Sequence, residues 1–406
     1  MRTIIFLNTQ KSGSSRDAIK IAEQLGFFTI LLTDREKFLQ QRTEFPDIHQ
    51  MIFVDLTNIE LIRMIIRKQQ ELGRYIEAIV SFTDPYVYLA TKLNDEFCIG
   101  RFSTEAIRKM EDKILTREFL QDLPYTPFYL TYNGLDSTST FVEQIKHPFP
   151  LMVKSPQSAG SKDVIKVENN DELTSSIHLL LSKYPEQPIL IEEYLDGPQY
   201  LVETLVLDGN VHIIAIIEQE ISQRQRFIIT GYSVLQSLDS RLKENLQMTV
   251  ETIIKAFGML TGACHLELRL INQQWKMIEI NPRISGGAMN RMVQFAYGIN
   301  LVQETLKVLL GLSPDLTRKW EKNIFTQYVI ISTRGILERV TGKNRAYLFP
   351  GVQEVYIKPR KGALLSAPLS MGQRYAYIIA TGETSDQAKQ NAKNAAKEIK
   401  FHLKPI

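Results

Sequence analysis

The first hundred residues alternate short apolar runs with amphipathic stretches. Ile4 to Leu7, Phe28 to Leu32, Met51 to Leu56 and Ala78 to Phe82 have strand length, and helix-period segments lie near Arg16 to Leu25 and Ile59 to Leu72. Such alternation predicts a parallel sheet wrapped by helices. The turn Lys11-Ser12-Gly13-Ser14-Ser15 opens the first helix, where an anion can meet backbone donors. It lacks the lysine position of a Walker A loop, so it reads first as a connection with an N-cap.

Beyond Arg101 the pattern changes to hairpins interrupted by helices. Pro148 to Lys154 begins a strand, and Asp163 to Val167 follows a Ser/Gly loop as its partner. A helix near Asp171 to Lys183 and the strand Ile189 to Glu193 come next. Asp208-Gly209, a strong two-residue hairpin turn, joins Tyr200 to Leu207 with Val211 to Ile217. A helix near Leu242 to Met259 precedes a hairpin of Cys264 to Leu270 and Trp275 to Asn281. Strands around Phe325 to Ile331, Glu354 to Ile357 and Arg374 to Ala380 are closed by a helix over Thr384 to Ile399. No internal repeat is visible.

Composition narrows the classes. A chain of 406 residues with 44% apolar content exceeds what one core accommodates, so two to four domains are expected. The 48 basic and 45 acidic residues, net charge +3, imply no nucleic-acid footprint, and no like-charge block marks a polybasic anchor. A small or peptidic substrate fits better. Cys98 and Cys264 alone make neither a disulfide framework nor a cysteine zinc site, which points to a reducing compartment. Thr3 to Leu7 is too short for a signal-peptide core and no long apolar run follows, so a soluble cytoplasmic protein without a membrane partner is expected.

The chemistry concentrates in the hairpin Cys264 to Asn281. Because strand side chains alternate faces, His265, Glu267 and Arg269 share one face and Cys264, Leu266 and Leu268 the other, while Glu279, Asn281 and Arg283 align on the return strand. A turn centred on Gln273 makes Glu267 and Glu279 cross-strand partners. Like charges directly opposite are destabilising, so this register requires a cation. Glu267, Glu279 and Asn281 form an all-oxygen set suited to Mg²⁺, with Mn²⁺ as a substitute. The alternative is a solvated face compensated by Arg269 and Arg283. Lys154 stands at a strand end before the loop Ser155 to Lys162, whose amides can cover phosphates or merely connect strands. Glu203 sits on the apolar face of Leu201 and Leu205, where an unpaired carboxylate is expensive, so a polar cleft is expected beside it.

In this order the segments resemble the ATP-grasp superfamily, within it the biotin-carboxylase-like branch that contains the dipeptide-forming L-amino-acid ligases. The motifs are Asp112-Lys113, Lys154 with its loop, Glu192-Glu193-Tyr194-Leu195, Gly197 to Glu203, His265-x-Glu267, and Glu279-Ile280-Asn281-Pro282-Arg283 with Gly286-Gly287. The resemblance implies a mixed α/β and α+β ATP-grasp fold. Its parts are an N-terminal Rossmann-like domain (1–100), the two ATP-grasp halves (101–198 and 199–312) and a C-terminal subdomain (313–406). It implies that Lys113 and Lys154 bind ATP phosphates, that Ser158, Ala159, Gly160 and Ser161 fold over them, and that Glu193, Tyr194 and Leu195 take the adenine with Glu192 nearby. Glu267, Glu279 and Asn281 would hold the metal. Arg283, Gly286, Gly287, His265 and Glu203 would meet substrate, with Arg283, Lys154 and Glu203 as the catalytic set. Asp163, where glycine is common, and Thr230 to Val234, which lacks the usual acidic residue and proline, depart from the pattern. The implied activity is joining a carboxylate to an amine through an acyl phosphate, with ATP consumed and a homodimer left open. A different carboxylate, a carrier-bound or antibiotic intermediate, a biotin-carboxylase-like reaction and a non-catalytic ATP sensor are the alternatives.

Overall fold

A computed structural model describes residues 1–99, 102–155, 163–222, 228–368 and 373–405. The N-terminal strands form a four-stranded parallel sheet in the order Gln50–Phe53, Phe28–Thr33, Arg2–Leu7 and Tyr75–Val80. Its central strand is apolar without alternation because both faces are covered. Ile4 and Phe6 enter one core, and Ile5 and Leu7 another.

A second, antiparallel sheet of four strands follows, ordered Tyr129–Tyr132, Ile189–Glu193, Leu151–Lys154 and Val164–Val167. Leu173, Ile177 and Leu180 of the helix Asn170–Lys183 close its core. The separate hairpins expected further on merge into one antiparallel sheet of eight strands. Its order is Gln274–Asn281, Gly262–Ile271, Gln199–Leu207, Asn210–Ser222, Ile228–Val234, Asn323–Val329, Ala376–Gly382 and Val352–Ile357. Residues 199–281 and 323–382 therefore share a single sheet. Val202, Cys264, Leu266 and Met277 pack on one side against Leu246, Val250 and Ile253 of the helix Ser240–Phe257. Leu201, Ile217, Tyr232, Val234 and Tyr328 face the other side, toward the N-terminal sheet.

Two differences from the sequence reading have local causes. The last helix ends at Ala396, not Ile399, and the strand Lys400–Lys404 follows it, pairing with Gly335–Thr341. The Ala- and Lys-rich composition marks the helix but hides a short polar edge strand. The strand Ile228–Val234 also escaped, because Gly231 and Thr230 interrupt its apolar pattern. Gly231 is needed there: an added Cβ would lie 2.4 Å from the ring of Phe325 on the neighbouring strand.

Candidate active site

The hairpin that carries the chemistry is built by a turn and a bulge. Asn272 and Gln273 both adopt positive φ, 48° and 66°, as a two-residue hairpin turn requires. Counting outward from that turn pairs Leu268 with Met277 and would place Ile278 opposite Glu267. A register shift leaves Ile278 out and brings Glu279 opposite Glu267, with Asn281 opposite His265. Bulges re-aim side chains in this way. Arg117 secures it by donating Nη2 to the Ile278 carbonyl at 2.5 Å. The expected carboxylate pair is thus present, though the turn alone does not create it.

The charge of that pair is met from three sides. Lys113 Nζ lies 3.3 Å from Glu279 Oε1. Gln199 donates to Glu267 Oε2 at 2.8 Å, and His265 Nε2 is 3.8 Å from Glu267 Oε1. Burial alone would raise the Glu267 pKa, but His265, then Lys154 and Lys113, hold it below the ordinary carboxylate range. Arg283 shares in this through the charge of Glu279, whereas Arg269 is turned elsewhere. Arg269 donates to the Leu195 carbonyl and to Gln199, while Arg283 is bound by Asp84, Nε to Oδ1 at 2.9 Å.

Beside the carboxylates lies a cleft of about 480 Å³ lined by Lys113, Lys154, Glu192, Glu279 and Asn281 among others. Lys113 opens the helix Lys113–Phe119, where Asp112 caps the amides of Ile114 and Leu115 at 2.8 and 3.0 Å. One turn later on the same face, Arg117 reaches Glu192. Lys154 meets the other oxygen of Glu192. Burial would push the Glu192 carboxyl up, but Arg117 and Lys154 pull it down to about 2. Glu192 therefore anchors two cations at the cleft floor. The loop residues Ser158, Ala159, Gly160 and Ser161 lie outside the described residues.

The adenine expectation meets a constraint. The Glu193 amide already donates to the Phe128 carbonyl at 3.0 Å, the Tyr194 amide to Pro150 at 3.2 Å, and the Leu195 carbonyl accepts from Arg269. The two amides are spent on the protein, while the Leu195 carbonyl keeps a second lone pair. Lys166 and Arg269 instead flank the Tyr194 ring, 4.4 and 5.4 Å from its centre.

The substrate-side expectations also divide. Glu203 is wholly buried, accepting from His265 Nδ1 at 2.7 Å and from the Ser285 amide at 3.2 Å. It orients His265 and the loop behind it and does not open onto the cleft, because both oxygens are engaged. Burial opposes protonation of His265, but Glu203 and then Glu267 raise its pKa to about 10. Gly286 and Gly287 are exposed, and Gly287 has φ +66°. The N-terminal loop comes to them from 271 residues away, Ser14 donating its hydroxyl to the Ser285 carbonyl.

Asp84, Arg117, Gln199 and Glu111 were not singled out in the sequence. Asp84 and its Pro85 lie just past the carboxyl end of the strand Tyr75–Val80, where open α/β sheets place ligand groups. Arg117 was legible as the i+4 neighbour of Lys113. Gln199 lay inside the Gly197 to Glu203 motif, but no role was assigned to it.

The donor set fits Mg²⁺. It comprises two carboxylates and an amide oxygen, all hard. Among the described residues no cluster of three or more His, Cys, Asp or Glu side chains gathers, so water and nucleotide phosphates would complete the shell. No helix among them is long and apolar enough to cross a membrane.

Residues 147–291 match the model of the ATP-grasp domain, and residues 327–404 that of L-amino acid ligase C-terminal domain 2. The chain is 22% identical over 320 residues to the ATP-grasp enzyme fsqD of Aspergillus fumigatus, covering 69% of this chain and 55% of that one. It thus spans about half of that relative. The fold superimposes on L-amino acid ligase from Bacillus licheniformis with a TM-score of 0.83 at 20% identity, over 100% of this chain and 99% of that one. The biotin carboxylase domain of 2-oxoglutarate carboxylase from Hydrogenobacter thermophilus, solved with MgADP and bicarbonate, gives 0.72 at 16% identity over 99% and 91%. Residues 147–291 thus carry an ATP-grasp domain, and the chain as a whole shares the fold of the ATP-grasp ligases it superimposes on.

Proposed function

We propose that this protein is an L-amino-acid ligase, activating the carboxylate of one amino acid with ATP and joining it to the amino group of another. The observation that carries this reading is the bulge-built pairing of Glu267 with Glu279, the latter lining one cleft with Lys113 and Lys154. The C-terminal match over residues 327–404 supports the amino-acid class.

A carboxylate is a poor electrophile, so its oxygen must become a leaving group before an amine can displace it. In the first step that oxygen bonds to the γ-phosphorus of ATP and ADP departs. In the second the amine nitrogen bonds to the carbonyl carbon, inorganic phosphate leaves and the amine gives up a proton. Mg²⁺, when bound, neutralises charge on the phosphoryl oxygens. Glu267, Glu279 and Asn281 would supply its protein oxygens. Lys154, held by Glu192, and Lys113, held by Glu279, place two ammonium groups for the phosphates. Arg283, oriented by Asp84, offers a planar fork to the reacting carboxylate or phosphoryl group. The exposed Gly286–Gly287 backbone gives access for substrate without a side chain in the way.

The test is a screen of purified protein with ATP, Mg²⁺ and pairs of L-amino acids, read by ADP release and product mass. A dipeptide mass with ADP formation dependent on both amino acids is expected. ADP formation with no pair at all would reject the amino-acid reading.

A further inference from the structure

Besides the groups that face ATP in the proposed reaction, the cleft is lined by Asp84, Tyr88 and Glu111. Glu111 is held there by two helices. It ends the helix Thr104–Glu111, two residues before Lys113, and its Oε1 accepts at 3.1 Å from the amide of Val87, which opens the helix Val87–Phe97. Among the described residues no ion pair engages its carboxyl.

The other carboxylates lining the cleft are committed. Asp84 gives both oxygens to Arg283, Glu192 bridges Arg117 and Lys154, Asp112 caps its own helix, and Glu279 meets Lys113 beside the metal position. The charges around Glu111 divide. Asp84 favours its protonated form and Arg283 its ionised form, while Arg108 turns to Glu105 at 2.6 Å and Lys113 to Glu279. Burial dominates, pushing the carboxyl up to about 7 against the Tyr88 and Val87 backbone. A cleft carboxyl that changes protonation state near neutral pH is suited to moving a proton. Arg283, whose charge Glu111 feels, is the group offered to the reacting carboxylate, so proton acceptor and electrophile meet at one end of the cleft.

The second half of the reaction needs such an acceptor, because the amino group of an amino acid is an ammonium at neutral pH and has no lone pair to attack with. We propose that Glu111 is the base that takes a proton from the acceptor's amino group before it attacks the acyl phosphate. This rests on the ligase reading and supplies a step that reading leaves open. A Glu111 carboxylate oxygen bonds one ammonium proton, the freed lone pair bonds to the carbonyl carbon, and the bond from that carbon to the phosphate oxygen breaks. The surplus proton on nitrogen leaves with the phosphate, and Glu111 returns its own proton to water.

Glu111→Gln keeps an oxygen to accept the Val87 amide and removes the proton site. Hydroxylamine, unprotonated at neutral pH, needs no base and traps an acyl phosphate as a hydroxamate. The experiment supplies wild type and variant with ATP, Mg²⁺ and each L-amino acid, first with hydroxylamine and then with an acceptor L-amino acid, from about pH 6 to about pH 9. Both proteins are expected to form hydroxamate equally, whereas the variant loses about a hundredfold or more in kcat/KM for the acceptor at about pH 7. Wild-type kcat/KM should rise with pH through about 7 and level off, and the variant's should keep rising as the amine loses its proton unaided. Glu111→Asp, with a shorter reach, should lie between them and keep the levelling. No hydroxamate from wild type would reject the ligase reading itself. With hydroxamate formed by wild type, a Glu111→Gln enzyme that makes dipeptide at the wild-type rate, loses hydroxamate and dipeptide alike, or keeps the wild-type pH profile would overturn the proposal.

Discussion

Replacing Glu192 by glutamine tests whether the cleft floor is held by one carboxylate shared between two cations. Glu192 titrates near 2 in place of its ordinary 4.5, because Arg117 and Lys154 outweigh the burial that opposes its charge. A difference of about 2.5 units at about 1.36 kcal/mol each is worth about 3 kcal/mol. The sign follows from the depressed value. The contribution is fully present above pH 4.5, falls to about half near pH 3 and vanishes below 2. Breaking a buried pair by removing one partner costs a similar amount, since the cations remain buried beside each other. Urea unfolding of wild type and Glu192→Gln at pH 7 and pH 3 reads the energy directly. Calorimetric titration with MgATP reads the consequence for Lys154. The expected result is a loss of about 3 kcal/mol at pH 7, about half that at pH 3, and weakened nucleotide binding. A loss below about 1 kcal/mol that does not change with pH would refute the reasoning.

Three further outcomes follow from the same geometry. Glu267→Gln and Glu279→Gln should each lower turnover by about 100-fold or more while circular dichroism stays native, and EDTA should abolish wild-type turnover until Mg²⁺ is restored; retained activity in either variant would remove that residue from the metal site. Gly13 has φ +84° and an added Cβ would press on the Gly287 amide at 3.2 Å, so Gly13→Ala should cost about 1–2 kcal/mol in chemical unfolding and slow turnover, whereas an unchanged kcat would detach that loop from the site. Burial pushes the Glu111 carboxyl up to about 7 from 4.5, so its contribution to stability is present below pH 4.5 and lost as pH rises through 7. Glu111→Gln should therefore gain in melting temperature relative to wild type between pH 5 and pH 8, and an equal gap at both would contradict the assignment.

How much was legible depends on whether a feature is local in the chain. The alternating strands and helices of the first hundred residues follow from periodicity, because each element buries its own apolar stripe. The pairing of Glu267 with Glu279 was legible because both carboxylates flank one short turn, but the bulge that completes it depends on Arg117, 161 positions before Ile278. Distant partners were not legible. Asp84 meets Arg283 across 199 residues, and Ser14 meets Ser285 across 271. Glu203 illustrates the opposite error. Its place on an apolar strand suggested an open polar cleft, whereas His265 on the neighbouring strand satisfies it internally. The union of the strands into one eight-stranded sheet was hidden because the linking strand Ile228–Val234 carries Gly231 where the pattern needs an apolar residue.

The central claim is that a carboxylate is activated by phosphorylation before the amine attacks. It is tested most directly with an amino acid labelled with ¹⁸O in its carboxylate, turned over with ATP, Mg²⁺ and an acceptor, followed by mass analysis of the inorganic phosphate. The account predicts one ¹⁸O atom in each phosphate released, in step with amide formation. Amide formation with phosphate free of the label would contradict it.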